Sequence, residues 1–163
     1  MILEPIVFYI FIVLGLVLGY YLGYLTPEEY SLGKFYYNLG QIAVLILLFI
    51  FEFPRSFDLM IFFSFIIGFI VMFLIKEVYL AFGVSFFSDI FSLTISKTGI
   101  IFIYGLIEGT HIYNLKNKNS IIRKALLFTL MFPILWVNGS SIFEGFLAGS
   151  LLSAIILKIK KVM

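Results

Sequence analysis

The chain has no cysteine, one histidine, one tryptophan and four prolines in 163 residues. Without cysteine, disulfides, thiolate metal sites and thiol catalysis are excluded. One histidine cannot build a multi-histidine metal site within one chain. Charge is scarce as well. Only 12% of the residues are charged, where an ordinary soluble domain has about a quarter. No basic tract of the kind that follows nucleic acid is present, so nucleic acid is not an expected partner.

What the chain does have is apolar surface. Hydrophobic residues make up 63% of it, and its mean hydropathy is +1.16. Once the apolar runs are assigned, no room is left for a soluble domain. The sequence therefore predicts an all-α polytopic membrane protein, one integral membrane domain over residues 1–163, with the lipid bilayer as its solvent. The start is apolar at once, with Glu4-Pro5 and no basic segment, so the first span is expected to be retained. The abundance of Phe, Ile, Tyr, Lys and Asn suits an AT-rich genome, which points to a prokaryotic source and to the cell membrane.

A transmembrane helix needs about 20 apolar residues, with a range of roughly 17–25. Candidate spans run over Pro5–Leu25, Phe35–Phe53, Phe57–Ile75, Val78–Ile95 and Thr98–Asn114. A polar loop, Lys116–Lys124, is expected next. The last apolar block, Ala125–Leu157, is too long for one span, and Asn138-Gly139-Ser140-Ser141 is expected to fold it into a hairpin. This gives seven short spans. A six-span alternative lays the fourth segment on the membrane surface. Placing the C-terminus in the cytoplasm and the N-terminus outside turns Lys34, Lys76, Lys116, Lys118, Arg123, Lys124, Lys158, Lys160 and Lys161 inward. Only Arg55 and Lys97 then face outward, a strong positive-inside bias.

Small residues recur every four positions at Gly15, Gly19 and Gly23 and again at Gly145, Gly149 and Ser153. That spacing lets helix backbones approach closely in lipid. Packing within the chain is the favoured reading, and a homo-oligomer seam is the alternative.

Ionisable groups inside apolar segments are the candidate functional residues, because a carboxylate at membrane depth is costly unless it is paired, hydrated or used. In the fourth segment Ser85, Ser88, Asp89, Ser92 and Ser96 fall on one helix face. They suit a helix lining a hydrated path, which the loop-free link to the fifth span favours; the alternatives are a helix lying in the interface and a packing face whose serines bond their own backbone. In the fifth span Tyr104, Glu108 and His111 share a face. Glu108-Gly-Thr-His111 has the Glu-x-x-His spacing of carboxylate metal sites. Such sites need further carboxylates and a second pair, so no metal is expected, and a proton-handling pair or an interhelical hydrogen bond from Glu108 suits the spacing better. Glu144 opens the last span, where the helix macrodipole favours an acid. Glu52 closes the second span beside Pro54-Arg55. Asn38 and Gln41 share a face, and mid-membrane amides usually bond another helix. In the seven-span arrangement Glu52 and Glu144 lie at the outer rim, with Asp89, Glu108 and His111 successively deeper. A graded row of this kind is what ion transfer across lipid requires.

Residues 14–58 carry a Gly-rich first helix, a Tyr24-Leu-Thr-Pro27 turn, then Leu39-Gly40-Gln41 and a long apolar helix ending in Glu52-Phe-Pro-Arg-Ser-Phe-Asp58. This stretch resembles the opening helices of cation:proton antiporters and related inverted-repeat carriers. The paired Asn-Asp or Asp-Asp of that family's ion site has no counterpart here, so the resemblance assigns no residue a role. It implies a carrier that would need two copies of this chain.

The leading expectation is a small transporter or channel subunit for a proton, cation or small solute, acting through buried carboxylates as an oligomer. The alternative is a non-catalytic subunit or scaffold of a larger membrane complex. An intramembrane enzyme ranks last, since the chain lacks a thiol, a His-rich metal motif, a Gly-x-Gly-Asp motif and a Ser-His setting. No catalytic residue and no cofactor are expected.

Overall fold

The first helix break shows how local chemistry sets the architecture. The computed structural model describes residues 3–54, 58–88, 95–116, 119–130 and 140–162. Helix α1 spans Leu3–Leu25. Thr26 ends it, with both its backbone N–H and its hydroxyl donating to the Leu22 carbonyl at 2.9 and 3.0 Å. Pro27 then opens α2, Pro27–Glu52. A first-turn proline loses no helical hydrogen bond, and Glu28 and Glu29 suit the positive end of the helix dipole. The second helix therefore begins well ahead of the expected Phe35.

Helix α3, Leu59–Ile75, is capped by Asp58, whose Oδ1 accepts from the Ile61 N–H at 2.8 Å. It stops at Lys76, which takes the left-handed conformation (φ 58°) and donates its N–H to the Met72 carbonyl. Helix α4 covers Val78–Ser88. Residues 89–94 of the expected fourth span, including Asp89 and Ser92, lie outside the described residues, and Ile95 belongs to the next helix. Helix α5 is Ile95–Asn114, and α7 is Ser140–Val162.

The stretch from Lys116 to Lys124 departs from the expected loop. Helix α6 begins at Asn119 and runs to Thr129. Ile121 and Phe128 pack on the core, and a helix brings them and Ala125 to one face, which a loop could not. Arg123 and Lys124 are thus helical residues with fixed directions. Asn138 and Gly139 of the expected hairpin lie outside the described residues.

Helices α1 and α5 run parallel. A Cβ at Gly15 would meet Phe102, at Gly19 would strike the Leu106 carbonyl, and at Gly23 would meet Thr110 and Tyr113. Helices α3 and α7 are parallel too, with Ile61 against Gly145 and Phe65 against Gly149. Small residues at helical spacing thus let the backbones touch, and the two glycine rows pack within the chain. Hydroxyls reinforce both seams, Thr110 donating to the Gly19 carbonyl at 3.0 Å and Ser150 to the Gly68 carbonyl at 3.1 Å. Helix α2 runs antiparallel to α5, because Gln41 meets Glu108 and Glu52 meets Lys97.

The core is built from Leu16, Leu45, Met72, Phe82, Ile101 and Leu151, among others. The outside is just as apolar: Ile10, Leu14, Leu47, Phe62, Ile67 and Ile70 are all exposed. Such a surface suits hydrocarbon rather than water. Among the described residues Ile6–Leu25, Gly33–Glu52 and Ile142–Val162 are long and apolar enough to cross a membrane, and Leu59–Ile75 is a shorter apolar helix. Among the described residues the fold is all-helical, and these apolar helices suggest a membrane protein.

Candidate functional site

Glu108 is the hub of the site. It sits in the last third of α5, and three other helices reach it. Lys124 of α6 places Nζ 2.8 Å from Oε1, and Lys158 of α7 lies 3.5 Å from Oε2. Gln41 of α2 donates Nε2 to Oε2 at 2.5 Å, while its own Oε1 accepts from Lys158 Nζ at 2.5 Å. The amide thus bridges acid and base and holds both in register. The residue is buried, yet its carboxylate faces two ammonium groups. The isolated acid that the α5 sequence suggests is instead a shared counter-ion. A buried carboxylate with two cations and a hydrogen-bond donor has its charge satisfied locally, which a lone one would not.

The network extends on both sides. Glu77, just past the α3 corner, pairs with Arg123 and lies 3.6 Å from Lys124. His111, one turn along from Glu108, hydrogen-bonds through Nδ1 to the Tyr30 hydroxyl. Lys124 and Lys158 also lie over the rings of Tyr79 and Tyr104, 5.2 and 5.8 Å from the centroids. Their stems cover aromatic faces while their heads meet carboxylates, and both contacts favour the cation.

A cavity of about 340 Å³ opens beside this network. Its polar lining is Lys76, Glu77, Glu108, Lys124, Lys158 and Lys161, and Met72, Val78, Ala154 and Leu157 complete the wall. Sites for small ligands combine such an apolar wall with a few convergent polar groups.

The other end of α5 carries a second buried pair. Lys97 Nζ lies 3.1 Å from Glu52 Oε1, which also accepts from the Ser85 hydroxyl. Between the two ends stand Tyr79, Phe82 and Tyr104, all essentially without solvent contact. Their rings pack edge to face, with Phe82 and Tyr104 centroids 4.9 Å apart. The row of ionisable groups is therefore interrupted by an aromatic layer.

Of the candidates read from sequence, Glu108 and His111 meet at the hub end and Ser85 meets Glu52 at the other. Ser88 closes α4. Glu144 is exposed on α7, about 21 Å from Lys158 by the helical rise, and takes no part in the cluster. Among the described residues no group of three or more His, Asp or Glu side chains could hold a metal ion. Sequence reasoning missed Lys124, Lys158, Glu77 and Tyr30. The signal available for the two lysines was their place at the ends of apolar runs, from which a long side chain can reach back along its helix. No family model, no characterised protein and no solved structure matches this chain.

Proposed function

We propose that this protein is a small multi-spanning carrier for a charged solute, loaded at the Glu108 end of its bundle. The observation that carries the reading is a buried carboxylate held by lysines from two other helices at the edge of an open cavity. Ionisable groups in apolar segments that face a cavity rather than lipid mark solute paths. The aromatic layer of Tyr79, Phe82 and Tyr104 closes the way to the Glu52 end. That favours a gated carrier over a standing pore. Glu108 and Glu52 find their cationic partners inside the chain, which weakens the case for a subunit whose acids await partner helices.

In this reading the chain crosses the membrane seven times, with the Glu108 end in the cytoplasm. The common direction of α1 with α5 and of α3 with α7 supports the alternation, and the lysine distribution supports the orientation. A cysteine placed at Lys116 is expected to be shielded from an impermeant reagent in intact cells, and one at Leu59 to react. The opposite pattern would reverse the orientation.

The functional test is flux in proteoliposomes. Removing both charges together, as Glu108→Gln with Lys158→Gln, leaves Lys124 with Glu77 as its carboxylate and strands one cation fewer than Glu108→Gln alone. The double variant is expected to reconstitute normally and lose saturable uptake of small organic and inorganic ions. Equal uptake by wild-type, double-variant and empty vesicles for every ion tried would reject the carrier reading.

A further inference from the structure

We infer that the cavity between the ends of α3, α5, α6 and α7 binds a phosphate group, which deepens the proposal above and rests on the same site. Charge balance is the first argument. Lys76, Lys124, Lys158 and Lys161 line the cavity, and Arg123 joins them through Glu77. Against these five cations stand two carboxylates, Glu77 and Glu108. Both carboxylates are already shared between two cations each. Among the described residues neither Lys76 nor Lys161 has an ion pair. The formal excess is three positive charges around one cavity. A monovalent carboxylate leaves most of it uncompensated, whereas a phosphate monoester carries about −1.5 to −2 at pH 7.

Geometry is the second argument. The cations approach from separate directions: Lys76 from the α3 corner, Lys124 from α6, and Lys158 and Lys161 from α7. Ammonium groups converging from several sides suit a tetrahedral anion with three free oxygens better than a planar carboxylate. Glu108 and Gln41 fix Lys158 before any ligand arrives, so little side-chain freedom is lost on binding. The apolar wall of Met72, Val78, Ala154 and Leu157 leaves room for a carbon chain attached to the phosphate. The phosphate can thus come from a soluble phosphoester or from a lipid headgroup.

The test is thermal unfolding of the purified full chain in a neutral detergent. One arm titrates inorganic phosphate against sodium chloride at matched ionic strength. The other titrates dihexanoyl phosphatidate against dihexanoyl phosphatidylcholine. A ligand that binds only the folded state raises the melting temperature with its concentration. The expected result is a rise with at least one phosphate probe beyond its control. Phosphate acting alone identifies a soluble ligand, and phosphatidate acting alone identifies a headgroup. Lys76→Gln and Lys161→Gln remove exposed lysines without ion pairs, so both variants are expected to fold, and each is expected to need roughly tenfold more probe for the same shift. No rise beyond the controls with either probe, or wild-type titrations in both variants, would overturn the assignment. Phosphate binding without flux would retain it and remove the carrier reading. Flux of phosphate-free ions without phosphate binding would do the reverse.

Discussion

The α3–α7 seam is closed by glycine against backbone, whereas α5 and α7 are joined through Glu108 and Lys158. The first contact is a matter of shape. It has no charge to screen, and it leaves no space for even one added methyl group. The second is a matter of charge, carried on long side chains that Gln41 bridges. Helices α1 and α5 form one shape-matched pair, and α3 and α7 form the other. Helix α2 and the Glu108 network lie between the pairs. Each pair is closed by shape, and the pairs are joined to one another by charges that the Gln41 amide holds in register.

The most drastic way to break this contrast is to fill a seam. Gly149→Leu drives a side chain into the Phe65 carbonyl and the Phe69 backbone, and Gly19→Leu does the same at Leu106. Backbone cannot move aside as a side-chain end can, so the cost is expected to pass both the ~1–3 kcal/mol typical of overpacking and the ~4–5 kcal/mol beyond which single substitutions are exceptional. Folded yield after size-exclusion chromatography in detergent is the readout. Wild-type yield and melting in both variants would mean that the seams are not tight.

The next effect in size falls on the charged contact. Glu108→Gln leaves Lys124 and Lys158 beside a neutral amide. Breaking a buried ion pair on one side costs about 3–5 kcal/mol. Adding Lys158→Gln is expected to restore part of that loss, since one stranded charge is gone. The two variants, melted side by side, sharpen the comparison. A single variant as stable as wild type would show that the ion pairs do not hold the helix pairs together.

The smallest expected effect is at Ser150. Its hydroxyl donates to the Gly68 carbonyl across the α3–α7 seam. Interhelical bonds of this kind average about 0.6 kcal/mol and reach about 1.7. Ser150→Ala is expected to fall in that range in a chemical or thermal melt. A loss as large as that of Glu108→Gln would mean that the seam depends on polar contacts, and the contrast would disappear.

The apolar runs and their breaks were legible in the sequence because each has a local cause. Pro27 acts on residues within one turn, and the glycine rows announce close approach by spacing alone, whereas the cap at Asp58 fell inside the span expected from Phe57. Even so, the partners of those rows were not readable, since Gly19 meets Leu106 only through the fold. The site was legible in part. Glu108 and His111 stood out as ionisable residues in an apolar helix. Lys124 and Lys158 did not, because lysines at the ends of apolar runs read as solvated anchors. The reach of Lys124 back to Glu108 depends on helix α6 starting at Asn119, where short polar residues read as loop. Gln41 was visible as an amide seeking a partner, but Lys158 lies 117 positions away from it. Pairings over such distances leave no mark on local sequence pattern.

Lys76 and Lys116 share an unusual trait: both adopt positive φ, 58° and 54°. Glycine is the residue that most often takes this conformation where a helix ends, because a Cβ there crowds the backbone. At both corners the chain carries lysine where glycine would be more comfortable. Lys76 lines the cavity beside Glu108, and no glycine could supply its ammonium group. The corner is a trade-off written into the backbone, in which some conformational ease is given up to hold a positive charge at one point.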